Sequence, residues 1–420
     1  MNRTLYTLIY YLLLPLVFVR LLWRSFRAPD YRKRWPERLG YHAACPEPGG
    51  LWIHAVSVGE TIAAVPLIRL IQKHYPELSL TVTTMTPTGS ERVQALLGDS
   101  VFHQYAPYDT PCAVNRFLRR IQPRLVIIME TELWPNIIHQ CHLRDIPVVI
   151  ANARLSQRSA QGYQKLPKLT GEMLSKVTRV VAQGMDDGQR FIDLGLAQNQ
   201  LRVAGSIKFD IDIEEPLREA SRCLRDGWGR SRPVWVAGST HQGEDELLLA
   251  VHHQLLKKFP DLLLILVPRH PERFDRVAEL SISQGLALIR RSSSAPVEPA
   301  TQVLLGDTMG ELMLFYAAAD VAFVGGTLVE RGGHNFLEPA ALGVPVISGP
   351  HVFNFSAISE LLVTRGAMLQ IQNSAALADQ LQYILQDQAL QNRMSSAGIQ
   401  VVAENRGALQ SLYHIVTEFL

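Results

Sequence analysis

Cysteine is scarce, with four residues in 420: Cys45, Cys112, Cys141 and Cys223, none in a C-x-x-C pair. That scatter excludes a disulfide framework and a structural zinc site, and it suits a reducing compartment. An excess of one charge is also missing, since 41 Lys and Arg face 39 Asp and Glu for a net +2. Readers of nucleic acid carry a larger, clustered basic excess, so nucleic acid is not an expected partner. There is no low-complexity tract and no H-E-x-x-H, and the thirteen histidines lack paired ligand spacing, so no metal site is expected. Asp210-Ile211-Asp212 mimics a metal-binding D-x-D but falls in a polar interruption of the chain, and it reads as coincidence.

Long apolar runs are missing as well, with one exception. Leu5 to Trp23 is nineteen residues with a single charge, Arg20. As a helix it reaches roughly 28 Å, about the hydrocarbon thickness of a bilayer. Tyr6, Tyr10, Tyr11 and Trp23 stand toward its ends, and Pro15 is tolerated in such helices. No small-residue cleavage site follows, so residues 1–25 read as an uncleaved membrane anchor, either spanning or lying in the interface. Arg24, Arg27, Arg32, Lys33 and Arg34 follow it, against only Arg3 and the α-amine before it. The positive-inside rule then places the rest in the cytoplasm, beside a membrane whose anionic lipids the basic run attracts. The segment is expected to act as a tether and to contribute nothing to the chemistry.

From residue 49, apolar runs of five to eight residues alternate with segments of helical period, the pattern of parallel sheets covered on both faces. Seven such runs precede the polar stretch 210–233, the best linker candidate, and seven follow it; from Ser374 the tail reads as mostly helix. The expected organisation is α/β: anchor 1–25, a Rossmann-like domain 26–212 and a second one 213–420. Open α/β sheets bind ligands beyond the C-terminal edges of their strands, so two tandem domains imply a cleft between those edges.

Several candidate residues follow strands. "VAFVGG" ends in glycines that let backbone approach a ligand, and "GGHNFLEPAALG" then starts a helix with Asn335 as N-cap and Pro339 in the first turn. Free amides there favour a phosphate, and Glu338 can accept from a ribose diol; equally, Glu338 can only complement the helix dipole. In "LWIHAVSVGE", Glu60 stands where a base must stand to reach an acceptor hydroxyl, yet Ser57-x-x-Glu60 is also a capping box. Thr308-x-x-Glu311 poses the same choice, because the amides of Met309 and Gly310 can instead read a base or phosphate. Arg269 and His270 leave one buried strand, Glu130 and Glu132 another, Lys208 a third, and Ser239-Thr240 form a further candidate phosphate loop.

"HAVSVGE", "METELWPN", "GSIKFD", "VPRHPERF" and "RGGHNFLEPAA" occur together and in order behind an anchor. The whole chain resembles the 3-deoxy-D-manno-octulosonic acid (Kdo) transferases, GT-B glycosyltransferases of Gram-negative lipopolysaccharide biosynthesis. The resemblance implies transfer of Kdo from CMP-Kdo to the 6′-hydroxyl of the lipid A precursor with inversion at the anomeric carbon, without cofactor or metal. It implies Glu60 as catalytic base and Glu130 and Lys208 as stabilisers of the transition state. The CMP-binding positions it implies are Pro268, Arg269, Met309, Gly310, Glu311, Asn335, Phe336, Leu337 and Glu338. Two alternatives stand beside it: a nucleotide-sugar epimerase of the same fold, which needs no anchor, and a membrane-tethered nucleotide-sugar binding protein, which needs no acid or base.

Overall fold

A computed structural model of the chain describes residues 1–26, 28–41 and 47–420; Arg27 of the basic run and Cys45 lie outside the described residues. The chain divides into two compact units, Met1–Asp210 with Arg406–Leu420, and Ile211–Asn405.

In the first unit each apolar run is a strand: β1 (Leu51–His54), β2 (Leu80–Thr84), β3 (Phe102–Tyr105), β4 (Leu125–Met129), β5 (Val148–Ala153), β6 (Arg179–Ala182) and β7 (Leu201–Val203). They pair parallel in the order β3-β2-β1-β4-β5-β6-β7. The central strands are buried throughout because both faces are covered, whereas the edge strand β7 exposes Arg202 and Val203. Leu51 and Ile53 of β1 enter one apolar cluster while Trp52 between them enters the other.

The second unit repeats the plan with β8 (Val234–Thr240), β9 (Leu263–Pro268), β10 (Leu288–Arg290), β11 (Val303–Leu305), β12 (Val321–Val324), β13 (Val346–Ser348) and β14 (Met368–Gln370). These run parallel in the order β10-β11-β9-β8-β12-β13-β14. Trp235 and Ala237 face one cluster, Val234 and Val236 the other.

Two expectations about organisation are corrected. The polar stretch read as a linker holds the helix Glu215–Trp228, whose buried residues are only Ser221 and Trp228 and whose Arg225 pairs with Asp320 at 2.9 Å. Its polarity marks a surface helix. The second unit also stops at Asn405 rather than at residue 420. Helix Ala408–Thr417 returns Ala408, Leu412, Tyr413 and Val416 to the core of the first unit. Asp210 secures that return, its carboxylate accepting from the amides of Gly407 and Leu409 at 2.7 Å each. The D-x-D thus has a structural use, as a helix cap.

Among the described residues one helix, Arg3–Ser25, is long and apolar enough to cross a membrane. One face rests on its own unit. Arg3 and Thr7 donate to the Asn136 side chain at 3.1 and 3.0 Å, and Phe18 packs on Trp35 and Tyr108 with ring centroids 5.2 and 5.7 Å apart. Leu5, Leu8, Ile9, Leu12, Leu16 and Val19 are exposed on the rest of it, at helical spacing. Much of the basic run that follows is committed to the fold. Arg32 donates to Ser25 at 2.7 Å, and Arg34 bonds Glu37, Ser90 and the His103 carbonyl.

Candidate active site

In the first unit the chain winds outward from β1 through β2 to β3, then returns to β4 on the other side of β1. Such a reversal opens a crevice beyond the C-terminal ends of the two central strands. Glu60 follows β1 and Glu130 follows β4, so both candidate acids stand at this point.

Helix Val58–His74 begins there, with Ser57 as N-cap accepting from the Glu60 amide at 3.2 Å. The Glu60 carboxylate returns to accept from the Ser57 hydroxyl and the Val56 amide, both at 2.8 Å. It bonds one residue upstream of the position a capping box uses. Glu60 is buried, and burial drives its pKa up to about 7 against the two bonds that favour the anion; Glu132 and Glu130 add a smaller push in the same direction. A carboxyl of that pKa is divided between acid and base at neutral pH. The cap therefore leaves this carboxyl able to exchange a proton.

Glu130 holds φ +55, a left-handed backbone uncommon outside glycine, and its amide donates to the Ala151 carbonyl at 2.9 Å. The Lys208 ammonium lies 3.9 Å from its carboxylate. Lys208 sits on the short 3₁₀ turn Ile207–Phe209, whose first amide donates to the Asn152 side chain at 3.2 Å. Asn152, also left-handed at φ +52, is a positioning residue that sequence reasoning missed. Its only signal was an amide side chain inside an otherwise apolar strand. Burial also raises the Glu132 carboxyl.

Helix Arg3–Ser25 reaches this region, contrary to the expectation of a bare tether. Met1 and Tyr6 line a cavity of about 340 Å³ together with Glu132 and the residues around it.

In the second unit the chain order reverses between β8 and β12. The glycine-flanked loop follows β12 and is closed by the Gly333 amide on the Gly326 carbonyl at 2.9 Å; both glycines take positive φ, +77 and +72. A buried carboxylate sets its shape. Glu244 accepts from the amides of Gly326, Thr327 and Leu328 at 2.7–3.0 Å and from His241 at 2.9 Å, tying the loops after β8 and β12 together. Sequence reasoning missed Glu244, although "THQGE" directly after a buried strand carried the signal.

Asn335 is not the N-cap. The helix runs Leu337–Ala341 with Phe336 in that position, while Asn335 accepts from the Leu337 amide at 3.1 Å and donates to Glu338 at 3.0 Å. Five residues make a weak dipole, so the helix end contributes less to anion binding than expected. Arg269 is the stronger element. It leaves β9 next to Pro268, its amide bound to the Thr240 carbonyl at 3.0 Å. Its guanidinium has no hydrogen-bond or ion-pair partner among the described residues, and its field opposes the burial that raises the Glu338 carboxyl. Phe336 and Leu337 are buried and serve packing.

Thr240 is spent elsewhere, donating to Asp245 at 2.6 Å, and Arg273 pairs with the same carboxylate. The turn Met309–Glu311 precedes helix Leu312–Ala317, so Thr308 caps nothing. Thr308 donates to the Glu311 carboxylate, which Arg291 also engages at 2.7 Å, holding it below the usual carboxylate range. That turn therefore offers backbone rather than the acid. His241, also missed, places its Nε2 2.8 Å from that of His334 with the rings stacked at 5.0 Å. Burial, aided by neighbouring cationic and imidazole groups, pushes both down to about 4, so the pair is neutral at pH 7. Among the described residues no cluster of His, Cys, Asp and Glu is placed to hold a metal ion.

Residues 33–211 match the family model for 3-deoxy-D-manno-octulosonic-acid transferase (kdotransferase), and residues 232–401 match that for glycosyl transferases group 1. A 3-deoxy-D-manno-octulosonic acid transferase from Haemophilus influenzae is 49% identical over all of this chain and 99% of its own length. The chain belongs to the Kdo transferase family. Likeness of fold extends further at low identity. A glycosyltransferase from Rickettsia africae superposes with a TM-score of 0.55 at 13% identity over 89% of this chain and 99% of that one. UDP-GlcNAc 2-epimerase from Neisseria meningitidis gives 0.55 and 13% over 88% and 99%. Both share the GT-B architecture, so the fold by itself does not separate transferase from epimerase; sequence kinship makes this chain a Kdo transferase.

Proposed function

We propose that this Kdo transferase moves Kdo from CMP-Kdo to the 6′-hydroxyl of a lipid A precursor, inverting the anomeric carbon. The observation that carries the reading is Glu60, a buried carboxyl with its pKa pushed up to about 7 at the sheet's point of reversal beside Glu130. Glu60 takes the proton of the acceptor hydroxyl while that oxygen bonds the anomeric carbon. The bond from that carbon to the phosphate oxygen breaks, and CMP departs with the electron pair. Glu130 and Lys208 stabilise charge in the transition state, Lys208 being steered by Asn152 through the turn it occupies.

In the second unit, Arg269 meets the phosphate, Glu338 the ribose hydroxyls, and the backbone of Met309–Glu311 the base. Pro268 and Asn335–Leu337 frame that set. A monophosphate leaving group of this kind needs fixed positive charge rather than a metal, so the reaction is proposed to be metal-independent.

Helix Arg3–Ser25 attaches the enzyme to the inner membrane with both units in the cytoplasm. Contacts from Arg3 to Phe18 along one face, with an apolar stripe opposite, favour a helix lying in the interface over one crossing it. The test is to incubate the protein with CMP-Kdo and the lipid A precursor and weigh the lipid. Growth by one or more Kdo masses is expected, and the number of increments counts the units added; an unchanged lipid refutes the reading.

A further inference from the structure

The cavity of about 340 Å³ in the first unit has walls of two kinds. At one end stand Thr131 and Glu132, on the same turn as Glu130, and the Glu132 charge acts on Glu60. The rest of the wall is mostly apolar, with Leu133, Leu166, Leu169 and Met173 and with Tyr6 arriving from the N-terminal helix, and is interrupted by Tyr163 and Thr170. Leu169, Met173 and Leu133 are buried while Leu166 is half-exposed. Tyr6 belongs to the helix whose outer stripe of Leu5, Leu8, Ile9 and Leu12 is exposed. Tyr6 thus ties the cavity to the helix that carries the most lipid-compatible surface of the molecule, and Glu132 lies within electrostatic reach of Glu60.

A ligand matching both ends is amphipathic, with hydroxyls near the acids and hydrocarbon starting a short distance away. A sugar alone leaves the leucine and methionine wall unfilled, and a hydrocarbon alone adds to the burial that already raises the Glu132 carboxyl. We propose that this cavity receives an acyl chain of the acceptor glycolipid, making it an acceptor-recognition site that uses the N-terminal helix as one wall. The proposal rests on the reading of the acceptor as an acylated sugar. It gives the helix a second role besides attachment, because removing it opens the cavity on the Tyr6 side.

The test uses the full chain, CMP-Kdo as donor, and two acceptors dispersed in detergent: the acylated glucosamine disaccharide phosphate and its fully deacylated form. The unmodified enzyme should prefer the acylated acceptor in kcat/KM by roughly 10-fold or more, the discrimination that apolar pockets reach. Leu166→Trp, which fills the cavity from a half-exposed position, and Leu166→Glu, which charges it, should each shrink that preference to a few-fold. CMP affinity, thermal midpoint and the rate on the deacylated acceptor should stay unchanged. The proposal is overturned if the unmodified enzyme shows no preference, or if both variants keep it. Equal losses on both acceptors, or a defect only in vesicle binding, which points to a bulk membrane lipid as occupant, also overturn it. Transfer to neither acceptor by the unmodified enzyme refutes the proposed function itself and is distinguished by that control.

Discussion

Glu60→Gln tests the base and the buried charge together. Burial raises this carboxyl from its reference of 4.5 to about 7. At about 1.4 kcal/mol per pKa unit, ionising it in the folded protein costs roughly 3 kcal/mol more than in the unfolded chain. The folded state binds the proton more tightly, so this contribution favours folding below the unfolded pKa. It is lost as pH rises through the window from 4.5 to about 7 and is absent above it. Glutamine removes the charge but keeps one oxygen to accept from either the Val56 amide or the Ser57 hydroxyl, forfeiting about 1 kcal/mol for the other bond. The variant should therefore unfold about 2 kcal/mol harder than the parent at pH 8, and the advantage should vanish or reverse near pH 4.5. Chemical denaturation at both values reads this directly. In the same variant turnover should fall at least about 100-fold with CMP affinity intact, and the parent's kcat/KM should decline as pH drops below about 7, when the base is protonated. Near-normal turnover in Glu60→Gln would leave the residue a helix cap and nothing more.

Two further outcomes are expected. Arg269→Ala and Glu338→Ala should each weaken CMP binding by roughly 1.5–3 kcal/mol, the range for charge-assisted hydrogen bonds, and calorimetry showing no change in either would place the nucleotide elsewhere. Activity should survive EDTA in full; loss restored by magnesium would overturn the metal-independent reading.

The fold was legible because the fourteen apolar runs form two parallel sheets, whose central strands are buried on both faces and write an uninterrupted apolar signal. Helix Glu215–Trp228 hid because it buries only Ser221 and Trp228 and shows solvent a charged surface that a linker also shows. The return of Ala408–Thr417 hid because the core it joins, with Ile68, Val149 and Ile207 among its members, lies more than two hundred residues away in sequence. Glu60 was legible as an acid after a strand, but the choice between cap and base was not, since its perturbation comes from three-dimensional burial. Glu244 and Asn152 act only through backbone amides brought to them by the fold. Spacing along the chain does not encode such contacts.

The N-terminal helix makes the sharpest case for revising a sequence reading. A chain starting at Ala28 loses the Arg3 and Thr7 bonds to Asn136 and the packing of Phe18 on Trp35 and Tyr108. With the Tyr6 bond to Asp109 and the Arg32 bond to Ser25 also lost, four hydrogen bonds at about 1 kcal/mol each and one partly buried aromatic amount to roughly 5–6 kcal/mol, within the lower range of the total stability of a typical domain. The first unit should stay folded with a lower thermal midpoint, and CMP affinity, which the proposed function assigns to the second unit, should not move. Glu60, Glu130 and Lys208 are held by β1, β4 and the turn at Ile207, none of which the truncation removes. On acceptor dispersed in detergent, kcat should therefore remain within a few-fold while KM rises, because the cavity beside Glu132 has lost its Tyr6 wall. On vesicles efficiency should fall further as the apolar stripe is gone. The basic residues left behind compensate little, since Arg34 is tied to Glu37 and Ser90 and Lys33 already pairs with Asp30 at 2.7 Å. At about 1 kcal/mol per available cation, attachment through Arg32 alone is slight, so the vesicle defect should hardly change with salt. A truncated enzyme that is folded yet inactive on dispersed acceptor would mean that the helix supplies a group to the chemistry. One as efficient on vesicles as the full chain would mean that it attaches nothing.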